Sequence, residues 1–188
     1  MIAASLLALT LASTQAYADK GASFELGYSR NQVAVTDQTA LGGQAGRFGL
    51  RVTLGPHIHI GAEAEEGTLA GTAPPSGLVA RGGSTGSSEL VGPLDGNTLG
   101  LKAYAGAHTR LGAFMFGADL AGGMRDTWVS SVAGMDVAGR KNEPLLEART
   151  RVDFFLSSML TIGAVASTDM IERRDVSIGA VLGLHFTQ

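Results

Sequence analysis

Chemistry in this chain would have to come from very few groups. There are four histidines, His57, His59, His108 and His185, and no cysteine. Imidazole serves as a general acid–base or as a metal ligand. His57 and His59 are two residues apart and share one face of any strand, and Glu63 falls on that same face. Such a set could ligate a transition metal, but paired histidines at this spacing read more simply as polar lining, so no metal or other cofactor is expected. The lack of cysteine excludes thiolate metal centres and a disulfide framework. The glycine-rich run 82–88 is followed by neither Lys-Ser/Thr nor a helix, so a phosphate loop has no support. A net charge of −3 with no basic face argues against nucleic acid as a partner.

The charged residues are more informative than the histidines. In the stretch 145–156, Glu147, Arg149, Arg151 and Asp153 occupy one parity, while Leu146, Ala148, Thr150, Val152, Phe154 and Leu156 occupy the other. A period of two is that of a β-strand, whose successive side chains point to opposite faces. The same alternation, with occasional breaks such as Met115, Val165 and Val181, predicts strands over 22–35, 44–54, 57–67, 97–108, 113–125, 145–156, 160–168 and 176–186. Only 16% of residues are charged and 27 are glycine, a composition that suits strands and tight turns. Short turns are expected after the second, fourth and sixth strands. Longer loops are expected over 36–43, 68–96 and 126–144, and a short charged connection over 170–175. The Gly/Ser/Pro/Thr-rich stretch 68–96 reads as a long mobile loop.

The first 18 residues have the pattern of an export signal: an apolar run followed by Ala16-Tyr17-Ala18, a small-x-small cleavage site. No basic residue precedes the run. Residues 19–188 would then form one mature domain. It contains no apolar stretch of the roughly 18–20 residues that a transmembrane helix requires. The expected architecture is all-β, an eight-stranded antiparallel up-and-down transmembrane barrel. Its apolar parity would meet lipid and its charged parity would fill the lumen. Three features favour this over a soluble, lipocalin-like periplasmic binding barrel. The apolar parity holds mostly Ala, Leu, Val and Ile rather than the interlocking bulk of a soluble core. Positive and negative charges nearly balance on the other parity, as a closed polar interior needs. Small residues recur among those charges, where a narrow barrel must accommodate long side chains. The expected interior charge network comprises Arg47, Arg51, Glu63, Glu65, Lys102, Asp119, Arg125, Glu147, Arg149, Arg151 and Asp153.

In this pattern the chain resembles the OmpA/OmpX-like family of small outer-membrane barrels. The sharpest element of the resemblance is the last strand, where Ile178, Ala180, Leu182, Leu184 and Phe186 alternate up to a near-terminal aromatic. The resemblance implies that the assembly machinery reads this strand, although Thr187 and Gln188 follow the aromatic that usually ends it. It also implies a bacterial outer-membrane location, reached after export through the periplasm, with outer-membrane lipid and lipopolysaccharide as surroundings and a monomeric state. The expected role is structural or surface-interactive (envelope integrity or adhesion), with a mostly plugged interior and long extracellular loops. A narrow pore is the alternative. Some barrels of this kind modify lipid A, but they use imidazoles on the outer surface or in loops. The histidines here fall at the inward parity near the short turns, so no enzyme activity is expected.

Overall fold

The computed structural model describes residues 21–34, 40–72, 78–82, 86–90, 92–131, 139–171 and 175–187. The expected export signal, 1–18, lies outside them. Ten strands follow in order: β1 (Gly21–Ala34), β2 (Ala40–Thr53), β3 (Ile58–Thr72), β4 (Leu78–Gly82), β5 (Gly86–Leu90), β6 (Pro93–Leu111), β7 (Phe114–Ser131), β8 (Gly139–Phe155), β9 (Leu160–Asp169) and β10 (Val176–Thr187). Eight of them close into one barrel in the order β1-β10-β9-β8-β7-β6-β3-β2. Every pairing is antiparallel, and β1 closes on β10 with Gly21 opposite Thr187. β4 and β5 pair only with each other, as a separate hairpin. Among the described residues no helix is long and apolar enough to cross a membrane.

Three tight connections gather at one end of the barrel, at 54–57, 112–113 and 156–159. In the second of these, Gly112 adopts φ of 64°, a conformation other residues avoid. At the opposite end the strands run further than their sequence pattern suggests. Strand reaches well into the expected loops 36–43, 68–96 and 126–144: β2 starts at Ala40, β3 runs to Thr72, β6 starts at Pro93, β7 runs to Ser131 and β8 starts at Gly139. The 68–96 stretch also contains the β4–β5 hairpin, so it is not one continuous loop.

The reason lies in which face is apolar. Through most of the barrel the outward side chains are Phe24, Leu26, Phe48, Leu50, Leu101, Leu120, Ile162, Ile178, Leu182 and others like them, all well exposed. Along β7 the outward apolar run is Phe114–Met124. Ten steps of about 3.4 Å, tilted by roughly 40°, rise about 26 Å, close to the apolar band of about 25 Å on membrane barrels. Above this belt the outward positions become polar: Arg30, Gln44, Glu66, Thr68, Asn97, Asp126 and Asn142. A few residues further up, the inward positions become apolar, with Val33, Leu41, Leu69, Leu94 and Val129 all buried. The alternation continues, but its sign reverses. A pattern search for one fixed polarity therefore ends the strands too early. A soluble binding barrel would turn its apolar parity inward, whereas here the charged parity faces the lumen through most of the barrel.

Candidate functional site

The interior is built from strand positions that point inward, and it groups into tiers of ion pairs. Nearest the short turns, Glu25, Arg51, Asp153 and Arg151 form a closed ring. Arg51 Nε lies 3.1 Å from Glu25 and its Nη1 lies 3.3 Å from Asp153. Arg151 donates to the same two carboxylates at 3.0 and 2.9 Å. The ring ties β1, β2 and β8 together across the lumen. Above it, the Lys102 ammonium sits among Glu65 (3.0 Å), Glu147 (3.1 Å) and Glu63 (3.5 Å). Arg47 reaches Glu65 at 3.1 Å and Arg149 reaches Glu63 at 3.2 Å. All these side chains are buried. Buried charge is tolerated only when paired and hydrogen-bonded, and the register places opposite signs side by side: Arg47 faces Glu65 across β2–β3, and Glu63 faces Lys102 across β3–β6.

Glycines open the space these long side chains need. A Cβ at Gly61 would collide with the Tyr104 ring, which lies across the lumen with the Arg149 guanidinium 4.7 Å over its face. A Cβ at Gly163 would collide with the Asp153 carboxylate.

The uppermost tier was only half visible in the sequence. Arg125 donates to Glu143 at 2.6 Å and also to Asp175. Asp175 in turn accepts a hydrogen bond from the backbone N–H of Ala34 at 2.5 Å. It thus ties the β9–β10 connection to β1 and β7. Burial pushes the Asp175 carboxyl above its ordinary value, against the pull of Arg125. Glu143 and Asp175 fell in stretches read as loop or connection. Only their phase with Glu147 and Ser177 could have revealed them. A void of about 10 Å³ borders Asn31, Arg47, Glu65, Arg125, Asp169 and Asp175, roughly the room of one water.

All eleven residues expected in the charge network are therefore inside the barrel. The histidines do not form the His57–His59–Glu63 set, which their spacing allows but does not favour. Glu63 is engaged by Arg149 and Lys102, and His57 lies exposed in the turn between β2 and β3, so His57, His59 and Glu63 do not converge. His59 is instead buried, with its Nε2 donating to Asp119 at 2.5 Å and its Nδ1 3.1 Å from Nδ1 of His108. His185 pairs with Thr161 at 2.9 Å on the far side of the same mouth. Among the described residues no group of three His, Cys, Asp or Glu side chains is arranged to hold a metal ion.

On the outer surface Ile178, Ala180, Leu182, Leu184 and Phe186 face away from the lumen along β10. Phe186 stands edge-on to Phe24 at 5.7 Å, and Phe24 stacks on Phe48 at 6.2 Å. Phe114 and Phe154 meet at 5.0 Å near another short turn. Aromatic groups at the edge of an apolar belt are a feature of membrane barrels.

No family model and no curated protein sequence matches the chain. Solved structures do. Ail, the attachment invasion locus protein of Yersinia pestis, solved in complex with the heparin analogue sucrose octasulfate, superposes with a TM-score of 0.59 at 13% identity, covering 89% of this chain and 99% of its own. Neisserial surface protein A superposes with a TM-score of 0.56 at 9% identity, covering 93% and 100%. At such identities the likeness is one of fold. The chain, a closed eight-stranded antiparallel barrel, has the fold of the OmpA/OmpX-like small outer-membrane barrels.

Proposed function

We propose that this chain is a non-enzymatic, monomeric barrel of the bacterial outer membrane that presents its long-strand end at the cell surface, in adhesion or in maintaining the envelope. The observation that carries this reading is the reversal of polarity along the strands. An outward belt about 26 Å tall gives way to an outward ring of Arg30, Gln44, Glu66, Asn97 and Asp126, and a few residues further up the interior turns apolar. A surface that meets hydrocarbon below and water above has this signature. A cation turned toward lipid near the midplane would cost roughly 2–4 kcal/mol, so the charged parity has to face inward.

Lipid and lipopolysaccharide surround the belt in this reading, and the assembly machinery reads the outward positions of β10 ending at Phe186. The surface role draws support from Ail, an attachment invasion locus protein whose structure holds the heparin analogue sucrose octasulfate. The interior favours a plugged scaffold over a pore. Ion pairs bridge it from β1 to β8, and buried apolar side chains lie above them.

Expression with and without the chain, followed by membrane fractionation, tests the location. The protein should partition with outer membranes and migrate faster in gels when unheated. A water-soluble monomer without detergent would overturn the proposal. Planar-bilayer recording tests the plug, and steady single-channel conductance would favour the pore instead. Cell-binding assays comparing expressing and empty strains test adhesion.

A further inference from the structure

We infer that the outer face of β1–β3 holds one membrane lipid whose headgroup carries both a phosphate and an ammonium, as phosphoethanolamine does; this rests on the outer-membrane reading above and adds a site to it. Gly46 lies at the centre of the site. It faces outward on β2, with Tyr28 opposite it on β1 and Glu66 opposite it on β3. A Cβ there would meet nothing within 4 Å. The gap opens a groove of about 720 Å³ between an aromatic ring and a carboxylate.

The groove crosses the edge of the apolar belt. Below Gly46 it is lined by Leu26 and Phe48, both exposed within the belt. Above Gly46 it reaches Gln44, and an adjoining groove that shares Gln44 is bordered by Arg30. A lipid divides in the same way, with acyl chains beside the lower part and a headgroup beside the upper. Tyrosine is enriched at that level in membrane proteins, where its ring meets the apolar side and its hydroxyl the wet one.

The charges select the headgroup. Arg30 and Glu66 are exposed, and neither forms an ion pair with another described residue. Arg30 stands opposite Gln44 across β1–β2. The Tyr28 hydroxyl donates to Gln44 Oε1, so that oxygen is engaged and the amide N–H groups remain as donors. A guanidinium and amide N–H groups together suit a phosphate. Two residues lower along β2, Glu66 and the Tyr28 ring flank Gly46. They suit an ammonium, one through an ion pair and the other through its ring face. One cation and one anion on the protein match a ligand with one of each. An anionic lipid without an ammonium would leave Glu66 facing like charge, which selects against it.

To test this, the chain is folded into vesicles holding equal parts of phosphatidylethanolamine and phosphatidylglycerol, extracted in mild detergent, and weighed with its retained lipid by native mass spectrometry. One lipid per chain should remain, with the ethanolamine form favoured about fivefold. Glu66→Gln should abolish that preference, and Arg30→Gln should lower retention of both lipids. Gly46→Leu fills the groove where a Cβ has open space and should lose the lipid. Gly122→Leu, at an outward glycine of β7, should keep it. Unheated gel migration reports whether each variant is folded. No retained lipid, equal retention of the two lipids, retention unchanged in folded Gly46→Leu, or a preference unchanged in Glu66→Gln overturns the site and leaves the membrane reading standing. Displacement of the lipid by free phosphoethanolamine at equal concentration overturns the lipid as occupant. A chain that inserts into no vesicle overturns the site and the membrane reading together.

Discussion

Arg151 illustrates how the interior side chains depend on one another. Its guanidinium serves Asp153 at 2.9 Å and Glu25 at 3.0 Å, and Arg51 holds the same two carboxylates from the other side. Removing one member leaves buried charge without its counter-ion, which costs about 3–5 kcal/mol. Arg151→Ala should therefore destabilise the barrel by that amount in urea unfolding from lipid vesicles. A double-mutant cycle with Glu25→Ala should show strong coupling, because the second loss removes charge that the first left unpaired. Gly61 makes a complementary prediction. A methyl there meets the Tyr104 ring and the strand backbone, so Gly61→Ala should lower the unfolding midpoint, and Tyr104→Ala should relieve part of the loss. At this scale the sequence was a good guide to Arg47, Glu65, Lys102 and their neighbours, because parity alone places a charge inside or outside. It was a poor guide to partners. That His59 meets His108 and Asp119 could not be read from the chain, because pairing depends on which strands are adjacent and in what register.

The strands carry two environments along one length, and this separates two substitutions of the same chemistry. Leu120 points outward within the apolar belt, whereas Asn97 points outward above it. Leu120→Arg should cost roughly 2–4 kcal/mol and Asn97→Arg about 0–1 kcal/mol, measured by unfolding in the same vesicles. Equal effects would mean that the belt does not meet lipid. At the upper end Leu41 is fully buried beside Leu69, and both sit where the sequence pattern reads as loop. Leu41→Ala should cost about 2–5 kcal/mol, read as a lower urea midpoint in the same vesicles. The strand centres were legible because their alternation is strong and of one sign. The strand ends were not, because polar-out, apolar-in extensions rich in Gly and Thr break the sign of the pattern without breaking the strand.

At the scale of the whole molecule, closure is what converts alternation into function. A barrel has no free sheet edge and satisfies its backbone internally, which is the condition for crossing hydrocarbon. The β1–β10 pairing supplies that closure. Deleting the last strand should therefore abolish the heat-sensitive fast-migrating form altogether, whereas Phe186→Ala should slow assembly while leaving the folded form stable in detergent. The sequence by itself determined the number of barrel strands, the parity of the charges and the end that carries the short turns. These are local properties, set by a two-residue period and by where glycine and proline interrupt it. Only the tertiary structure decided that Asp175 reaches Arg125 and Ala34 across the mouth, that an apolar layer lies above the ion pairs, and that two histidines from different strands converge. Those features depend on register and on the stagger of strands around a closed ring, quantities that no single stretch of chain contains.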